Sequence, residues 1–375
     1  MLRAKEPAFY AQTSEAYKAL EESTQPPQPR EYEVSTAASL ASFDEIRKLF
    51  PQLPGPDLEA ATATAEREVQ LTKPAGSLGR LEELVSWLAT WQGKHPPAIE
   101  HPRTAVFAGN HGVAARGVSA FPAEVTKQMV ANFLHGGAAV NQLCGFADAD
   151  LKVYELDLDN PTDDFTAGPA MSEEDCVKAM AYGMTAVEPG VDLLCLGEMG
   201  IANTTSAAAI SALLFAGTGD DWAGPGTGVE GEALANKKAV IDEAIALHAE
   251  AKSDGLEVLR RVGGMELAAI VGAILAARMA RVPVVLDGFI CTAAAAALEA
   301  SCKGALDHCI VAHSSAEPGH KALVEKLGKE PLFDFGMRLG EASGASLAVP
   351  ILKAAVACHS GMATFAEAGV AGKSG

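Results

Sequence analysis

Two textures of hydrophobic patterning divide the chain. Leu78, Leu81, Leu84, Val85, Leu88 and Trp91 recur at i, i+3 and i+4 spacing, which predicts an amphipathic helix ending at Gly93. Helical patterning begins near Ser42, and KHPPAIEHP reads as a linker after this helix. Beyond it, short β-branched or apolar runs are each followed by a Gly-rich or polar loop and a helical stretch. The clearest are TAVFAGNHG (104–112), DLLCLGEMGIANTT (192–205), VPVVLDGFICT (282–292) and CIVAHSSAEPGH (309–320), with LKVYELD (151–157) as a further strand. Continuous apolar runs suit strands buried on both faces, and strand–loop–helix repetition implies right-handed crossovers. The fold class is therefore α/β, a Rossmann-like parallel sheet flanked by helices.

In such sheets ligands bind beyond the carboxyl ends of the strands. Each of these loops occupies such an end, so Glu198, Asn203, Thr204, Asp287, Ser315 and Glu317 are expected to face one common cleft.

Composition narrows the partners. The 375 residues are 49% hydrophobic and 21% charged, as in a soluble globular enzyme with one large domain and a smaller satellite. A net charge of −19 without a Lys/Arg cluster excludes nucleic acid and disfavours an anionic membrane. A single phosphorylated metabolite stays open, because a local nest of backbone N–H groups overrides the global field. Seven scattered Cys without CxxC spacing read as reduced thiols of a cytoplasmic protein. The N-terminus has no signal-peptide core, and the apolar stretch 267–286 is broken by Arg278 and Arg281, so no membrane span is expected. Residues 1–40 are polar, end in TQPPQPREYE and read as a weakly structured extension.

Several motifs carry candidate chemistry. In GPGTGVEG, Gly226, Gly228 and Gly231 satisfy GxGxxG, but no strand precedes them and no strand with an acidic residue follows, so a dinucleotide site is rejected. The segment is either a phosphate cradle opening a helix, with Lys237 two turns on, or a plain surface turn. GEMGIANTT places Glu198 at a strand end and Asn203 and Thr204 at a helix start, where they either grip a phosphate or cap the helix. In RLGEASGAS, Glu341 stands among small residues that leave room for a ligand, although a lone Glu is commonly a solvated charge. HSSAEPGH has the wrong spacing for a helical metal site, and Pro318 interrupts the helix such a site needs; Ser315 is its useful hydroxyl. His111, after a strand, is an acid–base candidate or a structural histidine. Gln128, in EVTKQM, offers a donor and an acceptor to a heterocycle. The Asp pair in GDD (219–221) reads as solvated rather than as a magnesium site.

Taken together, TKPAGSLGRLEEL, AGNHGVAARGVSAFPAEVTKQM, GEMGIANTTSAA, GPGTG, VVLDGFI, HSSAEPGH and RLGEASGA run in one order from about residue 42 to 370. This set resembles the nicotinate-nucleotide–dimethylbenzimidazole phosphoribosyltransferases of cobalamin lower-ligand assembly. The resemblance implies a small helical domain built from both chain ends (41–100 plus 346–375), an α/β catalytic domain (101–345), a homodimer, and a reaction without metal or cofactor. It implies Glu341 as general base, assisted by Glu198. Gln128, Met199 and Leu339 would line the base pocket. Asn203, Thr204, Gly226, Thr227, Gly228, Lys237 and Ser315 would hold the nucleotide, chiefly its phosphate. Asn110 departs from the family pattern, which has Asp before His-Gly, and so a charge-based role at that position is not carried over. Other readings of the same fold are transfer to a purine or phenolic base, or non-catalytic nucleotide binding.

Overall fold

The computed structural model describes residues 40–371. The extension expected at residues 1–40 lies outside them except for Leu40. The described residues begin with three α-helices, α1 (Phe43–Leu49), α2 (Leu58–Glu68) and α3 (Arg80–Gln92). Helix α3 ends at Gly93, whose φ of 64° closes the last turn in the left-handed region that glycine enters freely.

Five strands follow: β1 (Pro102–Ala108), β2 (Asp150–Glu155), β3 (Leu193–Met199), β4 (Val284–Leu286) and β5 (Cys309–Val311). All pairings are parallel, in the order β2-β1-β3-β4-β5. The chain reverses its direction of growth between β1 and β3, the place where open α/β sheets hold ligands.

Helices α4 (Glu124–Leu134) and α5 (Ala139–Ala147) connect β1 to β2, and α6 (Glu173–Met184) leads to β3. Between β3 and β4 lie α7 (Asn203–Phe215), α8 (Gly219–Trp222), α9 (Gly231–Leu247), α10 (Gly255–Val262) and α11 (Met265–Met279). After β4 come α12 (Phe289–Ser301), α13 (Pro318–Lys326), the long α14 (Ser343–Gly361) and α15 (Phe365–Ala368).

The strands are apolar at successive positions because each face has its own core. Ala105, Phe107, Leu194, Leu196, Val284, Leu286, Cys309 and Val311 pack with α6, α7, α10, α11 and α12. The alternate residues Val106, Leu193, Cys195, Val285 and Ile310 pack with α3, α5 and α14. Side chains alternate across a strand, so a sheet covered on both sides loses the polar–apolar alternation and keeps only the run. Helix α7 is buried all round from Thr205 to Leu213, which its Ala-rich sequence permits.

Segments from both chain ends meet. Leu71 and Thr364 form an antiparallel bridge, Arg67 Nε donates to the His359 carbonyl at 2.9 Å, and Lys73 Nζ lies 2.8 Å from both Glu68 and Glu82 carboxylates. The sheet's carboxyl edge is thereby left to the loops that carry the polar motifs.

Candidate active site

Those loops enclose a cavity of about 420 Å³ at the carboxyl ends of the strands. Glu198 and Met199 enter from β3, Gly288 from the end of β4, His313 and Ser315 from the end of β5, and Glu341 from the turn before α14. Helices α7, α12, α13 and α14 all begin at this rim, with Asn203, Phe289, Pro318 and Ser343 as their first residues. Their N-terminal N–H groups favour negative charge there.

One end of the cavity is carboxylate and apolar surface. The backbone N–H of Glu341 donates to the Glu198 carbonyl at 3.2 Å, which draws the turn onto β3. Glu341 and Ala342 have φ of 63° and 61°. Two successive non-glycine residues in the left-handed region cost about 1–2 kcal/mol each, strain of the kind held at functional sites. Glu198 Oε2 accepts from Asn203 Nδ2. Burial pushes the Glu198 carboxyl up to about 8, with Asp287, Glu266 and Glu341 adding like charge. Burial, and then Asp287, pushes Glu341 up to about 7. Phe121, Val125, Met129, Met199 and Leu339 complete this end.

The other end is the glycine-rich turn. Gly226 and Gly228 have φ of 52° and 109°, positions where other residues would be strained. Lys237, fully buried on α9, donates from Nζ to Thr204 Oγ1 at 2.8 Å and to the Gly224 carbonyl at 2.9 Å. Burial lowers this ammonium to about 8, while Glu317 acts the other way. Gly226 N–H donates to Glu317 Oε1 at 2.9 Å, and Arg338 Nη1 donates to the Gly226 carbonyl at 3.0 Å. Thr227 Oγ1 accepts from the Ala120 N–H at 3.0 Å and ties the turn to the 118–121 loop. The carboxyl pair and the glycine turn thus line one and the same cavity.

The phosphoribosyltransferase family matches residues 53–370. A nicotinate-nucleotide–dimethylbenzimidazole phosphoribosyltransferase of Rhizobium meliloti is 59% identical over 337 residues, 90% of this chain and 99% of that protein. The protein of the same name from Brucella anthropi is 58% identical over 336 residues, again 90% of this chain and 99% of its own. The crystal structure of the Thermus thermophilus enzyme superposes with a TM-score of 0.79 at 40% identity, covering 84% of this chain and 100% of its own. This chain belongs to the nicotinate-nucleotide–dimethylbenzimidazole phosphoribosyltransferase family.

Against the positions that family resemblance implies, the cavity gathers Glu341, Glu198, Asn203, Thr204, Gly226, Thr227, Ser315, Met199 and Leu339. Lys237 stands one hydrogen bond behind it, through Thr204. Gly228 and Gln128 do not line it. Gln128 is exposed on α4, whose Val125 and Met129, one turn apart, face the cavity instead. Asp287, expected in the cleft, is fully buried behind it: its Oδ1 accepts from the Ala345 N–H at 3.0 Å and lies 3.6 Å from His313 Nε2. Arg338 also lines the cavity, from the same motif as Leu339 and Glu341.

The remaining motifs take structural places. Glu317 is the N-cap of α13 and Pro318 its first residue, so HSSAEPGH is not a helical ligand set. Asp220 pairs with Lys238, and Asp221 caps α8 through the Thr218 N–H and hydroxyl. Among the described residues no cluster of His, Cys, Asp and Glu has metal-binding geometry.

Proposed function

We propose that the chain transfers the 5-phosphoribosyl group of nicotinate mononucleotide to 5,6-dimethylbenzimidazole or a related base. The products are an α-riboside 5′-phosphate and nicotinate, a step in building the cobalamin nucleotide loop. The observation that carries this reading is one cavity lined by two buried carboxyls, Glu341 and Glu198, and by a glycine turn backed by Lys237.

The glycosidic nitrogen of nicotinate mononucleotide is a pyridinium, so the C–N bond breaks toward nitrogen and the leaving group needs no acid. The nucleophile needs help instead. The free ring nitrogen of the benzimidazole attacks C1′ while the proton on its other nitrogen passes to Glu341. Attack opposite the departing nicotinate inverts β to α. Glu341, near 7, is available as a base at neutral pH. Glu198, near 8, retains its proton there, and with Oε2 bound to Asn203 that proton belongs on Oε1. Holding it keeps a second negative charge away from Glu341. Met129, Val125, Phe121, Met199 and Leu339 offer the apolar slot for the base. Thr204, Thr227, Ser315 and the 224–228 turn, supported by Lys237 and Arg338, offer the phosphate end.

Catalysis by a homodimer in the cytoplasm belongs to the same reading. Leu339 and Phe121 at the cavity rim are 56% and 53% exposed, apolar surface suited to a second subunit. No helix among the described residues is long and apolar enough to cross a membrane, and all seven cysteines are free. Sedimentation velocity checks the dimer.

The test of the reaction is incubation with nicotinate mononucleotide and a panel of benzimidazole, purine and phenolic bases, with products identified by mass. An α-riboside phosphate from dimethylbenzimidazole is expected. Binding of the nucleotide without nicotinate release from any base would instead mark a non-catalytic nucleotide-binding protein.

A further inference from the structure

The AGNHG motif contributes a buried histidine that the transfer chemistry does not use. His111 follows β1, and its Nε2 lies 2.5 Å from Oε1 of Glu266 on the first turn of α11; neither side chain is exposed. On the other side of the ring, Ser206 Oγ lies 3.1 Å from Nδ1. The single hydroxyl proton of Ser206 is directed to the Gly263 carbonyl at 3.4 Å, so the oxygen accepts from Nδ1–H. A hydroxyl acceptor at Nδ1 and a carboxyl oxygen at Nε2 are surroundings that can take a proton from each ring nitrogen.

Three glycines make room for this pair against the active site. A Cβ on Gly264 would overlap the His111 ring, and one on Gly109 would come 2.5 Å from Glu266 Oε2. A Cβ on Gly200 would meet Glu266 Oε1 at 2.8 Å and Asn203 Nδ2 at 3.3 Å. Glu266 and Asn203 therefore approach the same point, and Asn203 holds Glu198. The groups that bear on Glu198 from its surroundings are Glu341 before α14, Asp287 at the end of β4, Glu266 on α11 and the thiol of Cys291 on α12. The three carboxyls among them all disfavour ionisation of Glu198. Glu266 is the one with an imidazole seated on it.

We propose that His111 is a positioning residue for the transfer reaction: by holding a positive charge against Glu266 it sets the charge felt by Glu198, and it pins the crossing of Gly109 and Gly200 beside it. The inference rests on the reaction proposed above. It explains why an acidic residue is tolerated behind a site already crowded with carboxyls.

The experiment is the pH dependence of kcat/KM for His111→Gln, Glu266→Gln and the double variant. His111→Gln leaves Glu266 uncompensated and moves the descending limb, which belongs to Glu198, up by roughly one pH unit. Glu266→Gln removes the negative charge and moves it down. The double variant, again neutral, returns toward the parent profile. Unmoved profiles, or single variants that shift in the same direction, would overturn the proposal and leave His111 a packing residue. Should His111→Gln fail to fold, ¹⁵N NMR of His111 in the parent protein decides: two ring N–H groups at neutral pH are expected, and a neutral imidazole overturns it. That spectrum needs no turnover, so it stays informative if the parent releases no nicotinate, a result that would count against the reaction itself.

Discussion

Glu341 donates its backbone N–H to the carbonyl oxygen of Glu198 at 3.2 Å. Two residues 143 positions apart in the chain are thus joined through their main chains, and their side chains enter one cavity. A backbone link holds the carboxyls in fixed relation whatever their protonation, which a side-chain hydrogen bond between them would not do.

Replacing Glu341 by Gln keeps its shape and removes its basicity. The rate is expected to fall by about 10²–10⁴ while nucleotide affinity is retained. Product quantification by mass, with calorimetric titration of nicotinate mononucleotide, checks both halves. Activity close to that of the parent would remove Glu341 as the base.

The two carboxyls also predict a pH profile. The rate constant kcat/KM should rise as Glu341 ionises near 7 and decline as Glu198 loses its proton near 8, giving a narrow bell. Both folded-state values lie above the ordinary 4.5 of a glutamate. Protonation therefore favours the folded chain: this stabilisation is present in full below the unfolded value and is lost as pH rises through 7 and 8. Glu198→Gln should raise Tm relative to the parent at pH 9 and leave it unchanged at pH 4, as read by scanning calorimetry.

Lys237→Ala should raise the KM for nicotinate mononucleotide more than it lowers kcat, because the proposed reaction puts the phosphate at the turn that Lys237 supports. The parent should show a related effect. With the buried ammonium near 8, the KM for the nucleotide should climb above that pH as the charge is lost. Steady-state kinetics from pH 6 to 9.5 test both, and an unaltered KM in the variant would exclude Lys237 from phosphate binding.

Gly197 tests the strained turn. A Cβ there would overlap the backbone nitrogen and Cβ of Ala342, so Gly197→Ala should displace Glu341, lower the rate and cost about 1–3 kcal/mol of stability. Gly183→Ala is the comparison: its Cβ would overlap the Ala269 carbonyl where α6 meets α11. It should destabilise comparably while the folded fraction keeps its kinetic constants. Equal kinetic losses in the two variants would contradict a specific role for the 197–342 contact.

The sequence by itself determined the elements and the edge on which the chemistry gathers. Uninterrupted apolar runs marked β1, β3, β4 and β5, because strands covered on both faces exclude polar residues; the 78–91 periodicity and Gly93 marked α3 and its end. Parallel connections then required the loops after those strands to share one edge, which is why Glu198, Asn203, Thr204, Ser315 and Glu317 could be expected together. Only the tertiary structure decided the strand order, the exposed side of α4 that carries Gln128, the burial of Asp287 behind the cleft and the pairing of His111 with Glu266. It also decided the acidity of Glu198 and Glu341, since desolvation is imposed by segments far away in the chain. Periodicity and turn chemistry are local energies that a few neighbouring residues express. Burial and electrostatic coupling are sums over the whole fold, and they have no value until the fold exists.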